Sequence, residues 1–259
     1  MFFMLLPMLN PKISVLAPTY NEAENIGPLI TAILKEIPYE TEIIVVDDNS
    51  PDETWRVAQE MAKTDPRIRV ERRLKDRGLT KSIKRGIELA KGDIIIWLDC
   101  DFSMPPAVIP KLIKEITENG KDIAVGSRFV TGGKQKSTDS TDEESALAIF
   151  FSTFGCTAMR LLLFPSFHDY TSGFIAIKRE VLERIPLRGD YGEYFIDLIV
   201  RAKLYKYAIV EIPYTCEKRK AGESKTAPTL QLLLKRIRQY SVQILKMELV
   251  RLRFFFTKK

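Results

Sequence analysis

Apolar runs without alternation recur along the first half of the chain, at Ile13–Ala17, within Glu42–Val46, at Ile94–Leu98 and at Ile123–Gly126. Such runs suit strands that are covered on both faces. Between them lie segments with helical spacing of apolar and polar positions: Glu22–Glu36, Asp52–Ala62, Ser82–Lys91 and Val108–Glu118. The alternation predicts an α/β fold with a mainly parallel central sheet flanked by helices and joined by right-handed crossovers.

The pattern changes after Val130. Thr131–Glu144 is polar and reads as a mobile loop, and Ser145–Phe164 then runs for twenty residues with Arg160 as its single charge. That length meets the criterion for a membrane span, yet Ser152, Thr153, Gly155 and Thr157 dilute it. A single span here would also put the later residues across a membrane from Asp99 and Asp101. The segment therefore reads as a helix lying in a membrane interface or as a buried helix.

From Thr229 to Phe256 a helical stripe collects Leu230, Leu233, Leu234, Ile237, Ile244, Leu245 and Leu252. Lys235, Arg236, Gln239, Gln243, Lys246 and Arg253 lie roughly opposite. Such a helix either packs on its own domain or, with the terminal Phe254–Phe256 and Lys258–Lys259, rests on an anionic membrane surface. The expected organisation is one α/β domain over 1–227, with the 145–164 helix inserted, and a basic amphipathic membrane-associating segment over 228–259. Met1–Met8 is apolar but lacks a basic start, which argues against a secretory signal.

Composition narrows the classes. The chain has 259 residues, 45% hydrophobic and 29% charged, as a folded globular protein does. Its three cysteines are far apart and it has one histidine, His168, so neither a disulfide framework nor a structural zinc site is expected. Abundant Lys and Glu beside sparse Asn and Gln lean toward a thermophilic source. A net charge of +6 invites an anionic partner. Nucleic acid is excluded as that partner, because no basic motif interleaved with aromatics occurs.

Three carboxylate clusters end three of the predicted strands: Pro18-Thr-Tyr-Asn-Glu22, Val46-Asp-Asp-Asn-Ser-Pro-Asp52 and Asp99-Cys-Asp101. Ligands of open α/β sheets bind at that edge. Residues two apart on a strand point the same way, so Asp99 and Asp101 can face one ligand and seat Mg²⁺ or Mn²⁺ beside a diphosphate. The alternative reading is a solvated turn, since Asp also caps turns and Pro105-Pro106 can open a helix. The glycine fingerprints of dinucleotide binding and of P-loop nucleotide hydrolysis are both missing, as is a serine-hydrolase elbow.

These stretches resemble the inverting family 2 glycosyltransferases with the GT-A fold, a Rossmann-like sheet. They are P-T-Y-N-E at 18–22, V-D-D-N-S-P-D at 46–52, G-L-T at 78–80, D-C-D at 99–101 with P-P at 105–106, and G-S-R-F-V-T-G-G at 126–133. With D-Y-T-S-G-F at 169–174 and R-K-A-G-E-S-K at 219–225, their order is similar to polyprenyl- and dolichyl-phosphate mannose synthases. The resemblance covers about Ile13 to Lys225. It implies that Pro18, Tyr20, Glu22, Val46 and Asp48 hold the nucleotide base and ribose. Asp99 and Asp101, with Ser103 nearby, would bind the metal, and the Cys100 backbone would approach the donor. Arg128 would face the sugar or phosphate. Arg219, Ser224 and Lys225 would lie in a loop closing over the donor and acceptor phosphates.

The implied reaction moves a hexose, mannose from GDP-mannose, onto a polyprenyl or dolichyl phosphate at the cytoplasmic face of the membrane, the protein being peripheral. A lipid monophosphate is already anionic near neutral pH (second pKa about 6), so it attacks without a general base. Two positions depart from the family: Ser103 stands where many members carry a metal-ligating Gln, and Cys100 where Ala is usual. A second reading takes a UDP-sugar donor, and with a hydroxyl acceptor it needs a base, for which Glu193 and Asp197 are the candidates.

Overall fold

The computed structural model of the chain describes residues 10–135, 143–221 and 230–257, without the side chains of 143–152, 230, 233 and 257. Nine strands and eight α-helices alternate among the described residues. The first half runs β1 (Ile13–Thr19), α1 (Ala23–Glu36), β2 (Thr41–Asp47), α2 (Thr54–Ala62), β3 (Ile68–Arg72), α3 (Leu79–Leu89) and β4 (Ile94–Trp97). A 3₁₀ turn at Pro106–Val108 then leads into α4 (Ile109–Thr117), β5 (Ile123–Ser127), β6 (Lys134–Gln135) and α5 (Glu143–Leu162). The second half continues with β7 (Ile175–Lys178), α6 (Arg179–Arg184), α7 (Glu193–Leu204), β8 (Ile209–Pro213), β9 (Thr215–Cys216) and α8 (Leu230–Thr257).

Seven strands form one sheet in the order β3-β2-β1-β4-β7-β5-β8. All pairings are parallel except those of β7, which runs antiparallel to both β4 and β5. The strand order reverses between β1 and β4, the switch point at which α/β sheets bind ligands. Because β7 is inverted, it starts where β4 and β5 end: Ile175 pairs with both Trp97 and Val125. The ends of β1, β2, β4, β5 and β8 and the start of β7 therefore share one sheet edge.

The apolar runs lie where the sequence pattern puts them. Both faces of β1, β2 and β4 are buried, one against Ile26, Leu29, Ile33 and Ile113, the other against Ile83, Phe195 and Ile199. Thr131–Glu144, expected to be a loop, contributes β6 at its start, which pairs in parallel with β9. Strands β3 and β8 are interrupted by charged residues and carry no continuous apolar signal, whereas β7 is apolar only over the short Ile175-Ala-Ile177.

The two long helices differ from expectation in which faces they bury. No described helix is long and apolar enough to cross a membrane. On α5, Cys156 and Met159 enter the core while Phe154, Leu161 and Leu162 are exposed. On α8, Tyr240, Ile244, Met247 and Phe254 pack against the domain, and Leu234, Val242, Leu245, Leu249, Leu252 and Phe256 face outward. The single apolar stripe read from the sequence is thus divided: Ile244 turns inward and Leu245 outward. Arg236 and Gln243, expected on the polar face, turn to the protein; Arg236 stacks 3.4 Å from the Tyr191 ring centroid and Gln243 is buried.

Gly92 sits where α3 returns to the sheet. Its amide donates to Ser14 Oγ at 2.7 Å. A Cβ there would stand 2.6 Å from Ser14 N and 2.8 Å from Ile13 C, both backbone atoms that cannot yield. Gly92→Ala is expected to cost about 2 kcal/mol as overpacking, lowering Tm by about 4–8 °C for a chain of this size. A thermal melt followed by circular dichroism checks it, and an unchanged Tm would show that the strand gives way.

Candidate active site

The shared sheet edge carries loops held in uncommon backbone conformations. Asn21, Asn49 and Phe102, which follow β1, β2 and β4, have φ of 54°, 56° and 66°. Left-handed backbone suits Asn but is an outlier for Phe, and such strain gathers at functional sites. At Phe102 it turns the chain so that the Ser103 amide donates to Asp101 Oδ1 at 2.9 Å. Lys220 Nζ caps the Phe102 ring 3.6 Å from its centroid.

The carboxylates that end the strands divide into two sets. Asp47, Asp48 and Asp52 are occupied within the fold. Asp47 accepts from Thr19 and Ser50. Asp52 accepts from the Ala23 amide at 3.0 Å and from Thr54, tying α1 to α2. Asp48, expected at the nucleotide, accepts from Arg73 Nη1 and Ser82 Oγ at 2.8 Å and from the Gly78 amide at 2.7 Å. Val46, expected with it, is fully buried in the core beneath the edge, so its side chain underlies the site and does not line it.

Glu22, Asp99 and Asp101 form the second set. Arg219 lies between two of them, Nη1 3.0 Å from Glu22 Oε1 and Nη2 2.8 Å from Asp101 Oδ2. Its strap is held by the Glu217 amide on the Ser103 carbonyl, the Lys220 amide on the Asp101 carbonyl, and Asn25 Nδ2 on the Ala221 carbonyl, at 3.0, 3.1 and 3.1 Å. Cys100, between the two aspartates, is buried and directs Sγ to the Pro18 carbonyl at 3.7 Å.

Asp99 has its carboxyl raised to about 7, first by the protein crowded around it and second by the charge of Asp101, with Glu22 adding and Arg219 and Arg128 opposing. The residue is nevertheless exposed to solvent. Water therefore screens part of the repulsion. Two adjacent carboxylates with surplus negative charge are a hard-oxygen seat for a divalent cation. Among the described residues no group of three or more His, Cys, Asp or Glu side chains can hold a metal ion. Mg²⁺ is commonly held this way, by one or two carboxylates with the rest from substrate phosphates and water. The residues fit the ion on those terms.

Arg128, at the end of β5, is not open on all sides. Its Nε and Nη2 fork onto Asp169 at 2.9 and 2.7 Å, its amide also donates to Asp169, and Nη2 reaches Thr171 Oγ1 at 2.7 Å. Asp169 is fully buried. Burial alone would lower the Arg128 pKa, and the Asp169 contact more than reverses that. The guanidinium is thereby fixed near Asp99 as a permanent positive charge. The D-Y-T-S-G-F stretch at 169–174 gives no sign in sequence of this role for Asp169. His168, beside it, directs both its amide and Nδ1 to Glu211 Oε2 on β8.

Tyr20 is 40% exposed and borders a cavity of about 300 Å³ with Asn49, Trp55, Arg72 and Arg77. That is the lower end of small-molecule cavities. Arg72 lies 3.9 Å from the Trp55 ring centroid and donates to Asn49. The candidates for a general base are occupied or enclosed. Asp197 is paired with Arg201 at 2.7 Å within α7, and Glu193 is buried with Oε1 accepting from the Asp190 amide at 3.0 Å. Ser224 and Lys225 lie outside the described residues, as does the proposed boundary at 227/228.

Residues 14–186 match the family model described as Glycosyl transferase family 2. The chain is 40% identical over 220 residues to the dolichol-phosphate mannosyltransferase of Pyrococcus furiosus, covering 83% of this chain and 59% of that one. It thus spans well under two thirds of that protein's length. It is 36% identical to the polyprenol monophosphomannose synthase of Mycolicibacterium smegmatis over 82% of this chain and 79% of that one. With the undecaprenyl-phosphate mannosyltransferase of Micrococcus luteus the identity is 31%, over 83% and 87%. Among solved structures, glucosyl-3-phosphoglycerate synthase from Mycobacterium tuberculosis in complex with Mn²⁺, UDP-glucose and phosphoglyceric acid superposes with a TM-score of 0.70 at 20% identity, covering 92% of this chain and 80% of that one. The same enzyme with Mg²⁺ and UDP gives 0.69. These two likenesses carry the fold alone.

The raised Asp99 carboxyl has a stability consequence. An aspartate whose folded pKa exceeds its unfolded value of about 3.9 destabilises the fold increasingly as pH rises between the two values, and the full effect is present above about 7. Asp99→Asn is therefore expected to stabilise the metal-free protein at pH 8 by about 1 kcal/mol after screening, the gain shrinking toward pH 4. Paired melts in EDTA at both pH values check it, and a gain independent of pH would refute the charge explanation.

Proposed function

The chain belongs to glycosyl transferase family 2 and is a glycosyltransferase, and we propose that it transfers mannose from GDP-mannose to a polyprenyl or dolichyl phosphate at a membrane surface. The observation that carries this reading is the meeting of Glu22, Asp99 and Asp101 with Arg219 at the sheet's switch point. The names of the relatives, each acting on a polyprenyl or dolichyl phosphate, support the acceptor class.

In this reading the base and ribose lie along Pro18, Tyr20 and the cavity beyond it, with Asp48 holding the Gly78 turn in shape. A Mg²⁺ or Mn²⁺ held by Asp99 and Asp101 would offset the charge of the departing nucleoside diphosphate. Arg128, fixed by Asp169, and Arg219 present guanidinium groups toward that charge, where preorganised donors act most strongly. Ser224 and Lys225 would meet the acceptor phosphate. That phosphate is itself the nucleophile, and its attack on the anomeric carbon from the face opposite the leaving group inverts the configuration. The engagement of Asp197 by Arg201 and the enclosure of Glu193 favour this base-free displacement over transfer to a hydroxyl.

The membrane part of the proposal rests on two helices. The outward face of α8 sets Leu245, Leu249 and Leu252 beside Lys246 and Arg253, and α5 exposes Leu161 and Leu162. Arg251 joins them by donating to the Leu163 carbonyl and lying 5.8 Å from the Phe164 ring centroid. Apolar side chains flanked by cations suit the interface of an anionic membrane. We place the protein at the cytoplasmic face as a peripheral enzyme, with 1–227 as the catalytic unit.

Purified protein given dolichyl phosphate and labelled GDP-mannose is expected to form a labelled lipid, with EDTA abolishing the product. Asp101→Ala should lower kcat/KM at least about 100-fold, as loss of a central electrostatic group does. A labelled lipid from UDP-glucose in its place would overturn the donor, and product unaffected by EDTA would overturn the metal. Separately, Leu245→Glu/Leu249→Glu is expected to weaken sedimentation with vesicles containing anionic lipid at least about tenfold, with the melt unchanged. Undiminished sedimentation would remove α8 from the membrane contact.

A further inference from the structure

We propose that Arg219 is a built-in counter-ion for the metal seat, holding it until a nucleoside diphosphate arrives, so that metal and donor bind as a coupled pair and not in independent steps. The inference rests on the reading of this cleft as a nucleotide-sugar site and assigns Arg219 a role toward the chain's own carboxylates.

Both oxygens of Asp101 are engaged. Oδ2 pairs with Arg219 Nη2 at 2.8 Å, and Oδ1 accepts from the Ser103 amide at 2.9 Å. Glu22 is occupied in the same way, Oε1 by Arg219 Nη1 at 3.0 Å and Oε2 by Asn25 at 2.8 Å. A divalent cation approaching Asp99 and Asp101 alone meets the guanidinium already on one of its ligands and must displace it against like-charge repulsion. The two aspartates alone also give it few ligands.

A nucleoside diphosphate removes both obstacles. Its oxygens complete the coordination of the ion, and its phosphates give Arg219 a forked partner as good as a carboxylate. The side chain can make the exchange without moving the strap, because the strap is held by backbone bonds at Glu217, Lys220 and Ala221 that do not involve the guanidinium. Arg219 therefore positions the metal ligands in one state and the leaving group in the other. Linkage makes the coupling reciprocal: GDP tightens metal binding by the factor by which metal tightens GDP.

Mn²⁺ binding to the full chain, measured by the paramagnetic resonance of the free ion with and without GDP, tests this without any turnover. Wild type is expected to bind Mn²⁺ weakly alone and at least about tenfold more tightly with GDP. Arg219→Gln should bind Mn²⁺ alone about tenfold more tightly than wild type and lose most of the GDP effect. Lys220→Gln removes the neighbouring charge of the same strap and should leave Mn²⁺ affinity near wild type. Unchanged or weaker Mn²⁺ binding in Arg219→Gln, or equal tightening in Lys220→Gln, overturns the proposal. If no variant binds GDP while Arg219→Gln still tightens Mn²⁺, the counter-ion role stands and the nucleotide reading falls.

Discussion

Mutual repulsion among carboxylates at one sheet edge is the constraint to which the rest of the site responds. The parallel strands β1, β2 and β4 end together, and Asp or Glu stands at or just past the end of each, so the fold concentrates negative charge at one edge. Three arginines nearby have places explained by that excess. Arg73 answers Asp48, Arg219 answers Glu22 and Asp101, and Arg128 is drawn to Asp169. Asp99 is the member without such an answer, and its raised carboxyl records the deficit. A divalent cation held there would relieve the same stress that the folded chain tolerates without it.

The inverted strand β7 organises the second half of the edge. It brings the 169–174 turn to the end of β5, where Asp169 fixes the Arg128 fork and Ser172 donates to the Gly126 carbonyl. Gly126 is required there because a Cβ would fall 2.7 Å from the Phe174 ring. Arginine held by a buried bidentate partner loses little conformational freedom when a ligand arrives. Positioning and charge are thus supplied by one interaction.

Much of this was legible in the residues, and what was not has a physical reason. Strands β1, β2, β4 and β5 appear in the sequence almost to the residue, because burial on both faces demands continuous apolar runs. Strand β3 is an edge strand whose Ile68-Arg-Val-Glu-Arg72 alternates with charge, so it carries no such run. Strand β7 has four residues, and its pairing with β4 and β5 depends on partners about fifty to eighty positions away. Asp99, Asp101 and Arg219 were identifiable from motifs, whereas the partners of Asp48 and Arg128 were not. A sequence shows that Asp169, Arg73 and Ser82 exist; only the tertiary arrangement shows whose charge each one meets. The same limit merged the two faces of α8 into one stripe.

The position of β7 also bears on how the chain is made. Strand β4 pairs with β1 on one side as soon as both exist, but its other edge waits for β7, from Trp97 to Ile175 in sequence. At a synthesis rate of roughly 5–20 residues per second that interval lasts about 4–16 s. Throughout it the nascent sheet carries Ile94-Ile-Ile-Trp97 as an uncovered edge, the kind of surface that pairs with other chains. Asp99 and Asp101 stand directly after that edge, in the place where charged residues flanking an apolar strand disfavour its pairing with other chains.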